Sequence, residues 1–225
     1  MTTSNSSSKI SPSECLNAAL NTPECKAVQM GSGDGEEDVS EFLVRLLDHF
    51  FEKLKALDVT IKLTDIFKIS FQSTTTCLHC TSSLDRNEYL WIFTLQFPFG
   101  HNGHAPTSLS YTLDLYTLMD HYLKTEILSD YRCAECDDVR QTTKTLKIVN
   151  PPPVLVFHLS KFTNGLQKIP NFVDFRRQLT IKFVRDGIED QMFYRLTGVI
   201  VHVGQTIAYG HYFAYVLADG KWTVF

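Results

Sequence analysis

Four of the chain's six cysteines form two Cys-x-x-Cys pairs, Cys77-Leu-His-Cys80 and Cys133-Ala-Glu-Cys136. Each pair lies beside a stretch with the pattern of a β-strand, and four thiolates from two such knuckles match the ligand set of a tetrahedral zinc ion. Residues 81–132 separate the pairs, which is too long for a compact ribbon built on one short hairpin. The two knuckles must therefore come from two extended arms that meet in space.

A closed shell of four thiolates leaves no open coordination position, so the pattern predicts a structural zinc and not a catalytic one. A redox-active Cys-x-x-Cys is the alternative. The chain starts with a polar Ser/Thr stretch that lacks the apolar region of a secretory signal. Paired cysteines in such a chain favour metal over disulfides, and we expect a reducing compartment, the cytoplasm or the nucleus.

Composition narrows the class of protein further. The 225 residues can bury a sizeable core in one domain, and a hydrophobic content of 44% is typical of a globular protein. A net charge of -4 offers no broad basic surface for nucleic acid. No run of about 18 apolar residues predicts a membrane helix. Residues 1–12 form a low-complexity polar tail that we expect to be disordered.

The clearest helical pattern covers residues 36–57. Its apolar positions recur at helical spacing on one face: Val39, Phe42, Leu43, Leu46, Leu47, Phe50 and Leu54. Acidic residues at its start, Glu36, Glu37 and Asp38, suit the positive end of the helix macrodipole. A second helix is predicted over residues 112–123. Helices at the front and strands behind them predict an α+β protein.

Strand patterns dominate the rest of the chain. We predict strands over residues 65–76, 87–98, 143–149 and 179–184, from residue 193 onward, and again from residue 221. Residues 154–159 form an almost continuous apolar run, which is typical of a strand buried on both faces. Residues 168–177 are predicted to be irregular, and His101 and His104 to lie in a solvated loop.

Residues 194–217 are predicted to form two strands joined by a loop. Gly204 and Gly210 bracket the loop, and His211 stands at the entry to the second strand. This is a good position for a general base, because the strand holds the imidazole while the loop admits substrate. A purely structural histidine is the alternative. His202, inside the first strand, is expected to be structural or to line the substrate.

The motifs and their order along the chain resemble those of the papain-like ubiquitin-specific proteases, which are deubiquitinating cysteine proteases. The resemblance covers residues 13–225. The start of the first helix, Glu36-Glu-Asp-Val-Ser-Glu-Phe-Leu43, looks like the family's Gln-Gln-Asp-Ala-x-Glu-Phe-Leu. The cysteine pairs match the family's zinc knuckles. Pro152-Pro-Val-Leu-Val-Phe-His-Leu-Ser-Lys-Phe162 resembles its Pro-Pro-x-Leu-x-x-x-Leu-Lys-Arg-Phe strand, with Lys161 where arginine is usual. Residues 194–216 are similar to its histidine box.

The resemblance implies a papain-like ubiquitin-specific protease fold with only part of the helical thumb (36–57), fingers with zinc knuckles (65–149) and a palm with the histidine box (150–225). It implies a structural Zn²⁺ on the four paired cysteines, Cys77, Cys80, Cys133 and Cys136. It places the general base on His211, and it places Gly204, Gly210 and Tyr212 on the channel for the Gly-Gly tail of the substrate. The implied partners are ubiquitin and ubiquitinated proteins, bound by a monomer.

The implied activity is thiol-dependent hydrolysis of the bond after the C-terminal glycine of ubiquitin, with an imidazole that takes and returns the proton. The family's nucleophile lies in an Asn-x-Gly-Asn-x-Cys-Tyr-x-Asn-Ser stretch, which neither Cys15 nor Cys25 matches. The family's orienting Asp or Asn follows the strand that contains Trp222, and this chain stops at Phe225. We therefore expect an inactive fragment of a larger deubiquitinase. The alternatives are a catalytically inactive ubiquitin-binding or scaffold protein and a zinc-binding interaction module.

Overall fold

The computed structural model describes residues 38–56, 62–98, 113–162, 168–204, 206 and 209–225. The chain divides into two compact units, Met1–Thr60 and Ile61–Phe225, which are described separately. The predicted tail, Cys15, Cys25 and the loop with His101 and His104 lie outside the described residues. In the described part of the chain, no helix is both long and apolar enough to cross a lipid bilayer.

The described part of the first unit is one helix, α1 (Val39–Ala56), which lies within the predicted range of residues 36–57. Asp38 caps it, since its Oδ1 accepts hydrogen bonds from the backbone N–H groups of Ser40 (2.7 Å) and Glu41 (3.3 Å). A carboxylate at this position satisfies backbone donors that have no partner within the helix and also suits the macrodipole. Glu41 and Arg45 form an ion pair one turn apart on the exposed side.

The second unit is rich in strands. Its elements in chain order are α2 (Leu63–Phe67), β1 (Ile69–Cys77), β2 (Ser83–Leu90), β3 (Phe93–Gln96), β4 (Leu113–Asp114), α3 (Leu115–Leu123), β5 (Glu126–Cys133), β6 (Asp138–Asn150), β7 (Phe157–Ser160), β8 (Val173–Asp174), β9 (Gln178–Arg185), β10 (Ile188–Arg195), β11 (Gly198–Val203), β12 (His211–Ala218) and β13 (Lys221–Val224). Two helices precede the strands and one lies among them, and most strand pairings are antiparallel, so the predicted α+β class is confirmed.

Two sheets determine where the candidate functional residues lie. A four-stranded antiparallel sheet has the order β2-β1-β6-β5, and a three-stranded antiparallel sheet has the order β11-β12-β13. Three smaller sheets have two strands each. Strands β9 and β10 pair antiparallel, whereas β3 pairs with β7 and β4 with β8 in parallel. The four-stranded sheet ends at the cysteine knuckles, and the three-stranded sheet contains the predicted histidine box.

The main core lies between the non-knuckle end of the four-stranded sheet, α3 and the β9–β10 hairpin. Its buried members are Ile69, Phe71, Phe93, Leu95, Phe97, Leu113, Leu118, Met119, Ile148, Ile169, Ile181 and Phe183. Phe93 is fully buried and makes edge contacts with Phe71 and Tyr122, with ring centroids 5.3 and 4.8 Å apart. Burying aromatic rings of this size supplies much of the hydrophobic stabilisation of the unit.

Two strand predictions near the first cysteine pair were wrong in extent. The strand predicted from residue 65 is helical over Leu63–Phe67 and extended only from Ile69. The strand predicted over residues 87–98 is two strands, because the chain leaves the β1–β2 hairpin at the buried residues Trp91 and Ile92. After that break β3 pairs in parallel with β7, so the two halves belong to different sheets.

Other boundaries also differ from the sequence pattern. The helix predicted from residue 112 starts at Leu115, since the side chain of Asp114 accepts a hydrogen bond from the Thr117 N–H (2.7 Å) and caps it. The strand predicted over residues 143–149 covers Asp138–Asn150, because β6 pairs with strands on both sides. The residues 168–177, predicted to be irregular, contain the short strand β8.

The apolar run at residues 154–159 does not form a strand buried on both faces. The strand β7 begins at Phe157, its four residues are only half-buried, and Val154 before it is 43% exposed. Strand β10 begins at Ile188, earlier than predicted, after a hairpin turn at Asp186 and Gly187, both with positive φ. Asp-Gly is a strong hairpin signal because both residues tolerate that conformation. Tyr194 therefore belongs to β10, and the first of the two strands predicted over residues 194–217 starts at Gly198.

Candidate functional site

The four paired cysteines meet at the end of the four-stranded sheet. The first knuckle joins β1 to β2 and the second joins β5 to β6, so two extended hairpins supply them as predicted. The four Sγ atoms all lie within 4.8 Å of one another. Cys77 Sγ is 3.9 Å from Cys136 Sγ, and Cys80 Sγ is 3.6 Å from Cys133 Sγ. Each close pair therefore joins the two knuckles.

This geometry fits a tetrahedral metal ion. Thiolates about 2.3 Å from a central zinc stand about 3.8 Å apart, close to the observed sulfur separations. No disulfide joins these four cysteines. Each knuckle turns through a residue with positive φ directly after its second cysteine, Thr81 (61°) and Asp137 (50°). A β-branched residue such as Thr81 rarely adopts this conformation, so the backbone of the first knuckle is strained there.

Hydrogen bonds shift the pKa values of three of the four thiols in different directions. The Cys136 backbone N–H and then the Ser82 hydroxyl lower the pKa of Cys133 to about 6. Ser82 also lowers the pKa of Cys80, through its side chain first and its backbone second. The hydrogen bond with Cys80, together with burial, raises the pKa of Cys136 to about 12. Four sulfurs this close cannot all be anionic without a cation among them, which is the arrangement that a bound metal stabilises.

The predicted general base lies at the start of a strand. His211 is the first residue of β12, its side chain is exposed, and its strand partner is Val203. The antiparallel ladder fixes its backbone, while the glycine-bracketed loop lies directly before it. The structure thus places His211 at the entry to a strand, as predicted, with an exposed side chain, which suits a group that must reach a substrate. Its role as general base stays a prediction.

Gly204 and Gly210 lie against one another and against the ring of His202. A Cβ atom added to Gly204 would lie 2.9 Å from the Gly210 Cα and against the backbone oxygen of Tyr209. A Cβ on Gly210 would lie 2.6 Å from the Val203 carbonyl oxygen and against Nε2 of His202. Within the described residues, both glycines are therefore required by close approach of the chain to itself. Their predicted place on a substrate channel stays a prediction.

His202 and Tyr212 form the other face of this ladder. They are strand partners, and their ring centroids are 5.0 Å apart. Because neighbouring residues of a strand point to opposite faces, Tyr212 lies on the face opposite His211. The structure gives His202 a packing role beneath the two glycines, in agreement with the structural alternative. The predicted contact of Tyr212 with substrate stays a prediction.

Sequence reasoning missed one residue of this region, Lys168. Its Nζ donates hydrogen bonds to the carbonyl oxygens of His202 (2.9 Å) and Gly204 (2.8 Å). Neighbouring Lys161 donates to the carbonyl oxygen of Asn171 (2.8 Å), and burial, followed by the charge of Lys168, lowers the pKa of Lys161. The signal that could have pointed to Lys168 was a lone lysine six residues after Phe162, which no motif singles out.

The structure does not describe the two cysteines outside the Cys-x-x-Cys pairs. The cysteines of the described part of the chain are the four of the metal-binding cluster, and Cys15 and Cys25 lie outside it. The structure therefore tests neither of these cysteines as a partner for His211.

The fold is similar to solved structures with bound ubiquitin. A chain of the SAGA DUB module Ubp8/Sgf11/Sus1/Sgf73 bound to monoubiquitin superposes with a TM-score of 0.69 at 23% identity, covering 94% of this chain and 47% of that one. The same module bound to ubiquitin aldehyde gives a TM-score of 0.68 at 23% identity, with 94% and 48% covered. The predicted papain-like ubiquitin-specific protease fold is confirmed.

Comparison of the sequence with known protein families identifies the family of this chain. The family model described as ubiquitin carboxyl-terminal hydrolase matches residues 1–225. The chain is 28% identical to ubiquitin carboxyl-terminal hydrolase 16 of Arabidopsis thaliana, over 96% of this chain and 22% of the relative. It is 27% identical to Ubl carboxyl-terminal hydrolase 18 of Mus musculus, over 84% of this chain and 54% of the relative. The chain belongs to the ubiquitin carboxyl-terminal hydrolase family, and it spans only part of the length of these relatives.

Proposed function

We propose that this chain forms the fingers and palm of a deubiquitinase, which hydrolyses the bond after the C-terminal glycine of ubiquitin. The family match over residues 1–225 is the observation that carries the proposal. Two features of the structure support it. The cysteine cluster holds together two hairpins that can contact a globular partner, and His211 stands on a strand end beside a glycine loop. Similar chains in the SAGA DUB module are seen with ubiquitin bound.

In the proposed reaction, a cysteine thiolate outside the described residues attacks the carbonyl carbon of ubiquitin's last glycine. A carbon–sulfur bond forms, the carbon–nitrogen bond breaks, and the imidazolium of His211 gives its proton to the leaving amine. Water then attacks the thioester while His211 accepts one proton from it. The carbon–sulfur bond breaks, which restores the thiolate beside the imidazolium, and the carboxylic acid of ubiquitin loses its proton to solvent. Loss of the base in this kind of chemistry costs about 10²–10⁴ in rate.

The metal in the proposal is Zn²⁺, held by the Sγ atoms of the four cysteines, Cys77, Cys80, Cys133 and Cys136. An all-thiolate set selects zinc among the common divalent cations of cells, and a shell closed by four protein ligands leaves no position for substrate. Its contribution is to lock the two hairpin ends in one arrangement. These four cysteines therefore have no part in the proposed proton transfers.

The first test measures binding of ubiquitin to the purified 225-residue chain. Two-dimensional NMR of isotope-labelled ubiquitin detects the binding as the chain is added. We expect saturable shifts of ubiquitin signals. No shift at millimolar chain would refute the proposal and favour a zinc-binding interaction module.

A second test asks whether the chain holds a working nucleophile. The chain is incubated with ubiquitin that bears a cysteine-reactive electrophile at its C-terminus, and the intact mass is measured. A one-to-one adduct that is lost in His211→Ala and kept in His121→Ala, an exposed histidine of α3, would establish that Cys15 or Cys25 is the nucleophile. Because neither matches the family's nucleophile motif, binding without an adduct favours the second candidate function, an inactive ubiquitin-binding protein.

A further inference from the structure

Lys168 makes a contact that the proposed chemistry does not use. Its ammonium group donates to the carbonyl oxygens of His202 and Gly204, at 2.9 and 2.8 Å. These two acceptors flank Val203 in the chain, and Val203 is the strand partner of His211. A single positive charge thus holds the peptide carbonyls on both sides of the residue that pairs with the proposed base.

The location of these carbonyls explains why a side chain is needed there. Strand β11 lies at one edge of the β11-β12-β13 sheet, and an edge strand presents one row of backbone groups outside the sheet. Carbonyls two residues apart point to the same side of a strand. Lys168 therefore supplies donors to the outer row at the very end of β11, where the ladder gives way to the loop.

The backbone of Lys168 is itself well anchored. It forms an isolated β-bridge with Phe162, and the N–H of the next residue, Ile169, donates to the Lys161 carbonyl oxygen (2.7 Å). Ile169 is 3% exposed and belongs to the main core. The half-buried Lys168 side chain, with its Nζ 6.0 Å from the centre of the Phe162 ring, thus connects a core-anchored segment to the end of β11.

The two glycines that bracket the loop cannot provide this anchorage. Gly204 and Gly210 have no side chains, and glycine has more backbone freedom than any other residue. A contact at the strand end therefore adds to the β11–β12 ladder in holding the register between Val203 and His211. Hydrogen bonds from a charged donor are about twice as strong as neutral ones, which suits Lys168 to this task.

We propose that Lys168 is a positioning residue for His211: by binding the carbonyls of His202 and Gly204, it fixes the end of β11 and with it the backbone of the proposed base. The functional meaning of this tether rests on the proposed role of His211. The tether itself does not, so the two can fail separately.

The test compares three variants of the 225-residue chain by amide hydrogen exchange and by NMR of the histidine ring protons. Lys168→Met keeps the apolar stem and removes the donors, Lys168→Arg keeps the charge and the donors, and Lys182→Met is the matched control at an exposed lysine of β9. We expect Lys168→Met to speed exchange at the amides of Val203 and His211 by about tenfold or more and to shift the His211 ring signals. Lys168→Arg should restore both, and Lys182→Met should change neither.

Two results would overturn the proposal. One is an exchange rate and a His211 ring signal in Lys168→Met equal to those of the natural chain. The other is equal acceleration throughout β9 and β10, which would mark a general loss of stability. If Lys168→Met does not fold, the test is made on the natural chain by NMR of the Lys168 ammonium group. A slowly exchanging ammonium signal that couples through the hydrogen bonds to the carbonyl carbons of His202 and Gly204 supports the tether. The absence of such coupling refutes it. Ubiquitin plays no part in these measurements, so a failure to bind ubiquitin would refute the proposed function alone.

Discussion

At the residue scale, Ser82 joins the two cysteine knuckles. Its Oγ lies 3.2 Å from Cys80 Sγ and 3.6 Å from Cys133 Sγ, one sulfur from each knuckle. Its carbonyl oxygen also accepts a hydrogen bond from the Cys77 N–H (3.0 Å). A metal-bound thiolate can only accept hydrogen bonds, so the hydroxyl must donate to it in the metal-bound state. Such outer groups orient metal ligands and raise affinity.

We expect Ser82→Ala to weaken zinc binding by about 10–100-fold, the usual effect of losing an outer hydrogen bond to a metal ligand. The measurement is a competition titration against a zinc-chelating dye. Ser83→Ala is the matched control, because the Ser83 hydroxyl bonds to the Thr76 hydroxyl (2.9 Å) in the β1–β2 ladder. Equal affinity of the natural chain and Ser82→Ala would show that the hydroxyl does not act on the metal.

At the scale of elements, the β11–β12 hairpin depends on the absence of side chains at its loop. Gly210 fits between the Val203 carbonyl and the His202 ring, where no Cβ can be placed without movement. Val203 and His202 belong to β11, which is tied to its partner β12 by the full ladder. The two neighbours therefore cannot move aside freely.

Gly210→Ala is expected to destabilise the protein by about 1–3 kcal/mol, as forcing an extra carbon into a packed site usually does. Urea denaturation followed by circular dichroism measures this cost. Gly198→Ala serves as the control, since its added Cβ would make an ordinary 3.6 Å contact with the Tyr215 carbonyl oxygen. A Gly210→Ala midpoint equal to that of Gly198→Ala would contradict the close packing.

At the scale of the whole molecule, the core and the cysteine cluster stabilise opposite ends of one sheet. The core buries Ile69, Phe71 and Ile148 at one end of β1 and β6. The other end closes on four sulfurs, with Cys77 and Cys133 buried there. The long antiparallel arms between the two ends expose most of β2 and β5. We therefore expect the metal to hold the knuckle ends of these arms together, and the core to hold their opposite ends.

Removal of zinc with a strong chelator is expected to lower the melting temperature by about 5 °C or more, because metal binding to the folded arms contributes to stability. Differential scanning calorimetry gives the midpoint. Hydrogen exchange should accelerate near Cys77 and Cys133 and stay slow at core residues such as Leu95. Cys80→Ser, which lacks one ligand, should respond little to the chelator. An unchanged midpoint for the natural chain would contradict a structural metal.

Local pattern was sufficient where neighbours in sequence decide the outcome. The Cys-x-x-Cys spacing predicted knuckles between strands, and the placing of His211 at a strand entry followed from apolar runs on either side of a glycine-bracketed loop. The motifs together also predicted the fold and the family, both of which are confirmed. The break at Trp91 was not predictable, because both halves of residues 87–98 have strand character and only their partners differ.

The sequence by itself thus determined the chemistry available to this protein: four thiols in two knuckles and an imidazole at a strand end. Only the tertiary structure decided which groups meet. Cys77 meets Cys136 and Lys168 binds the end of β11 although these residues are distant in sequence. Gly210 packs against His202 because of the register of the β11–β12 ladder. Such contacts follow from packing and hydrogen bonding of the folded chain, and no local spacing encodes them.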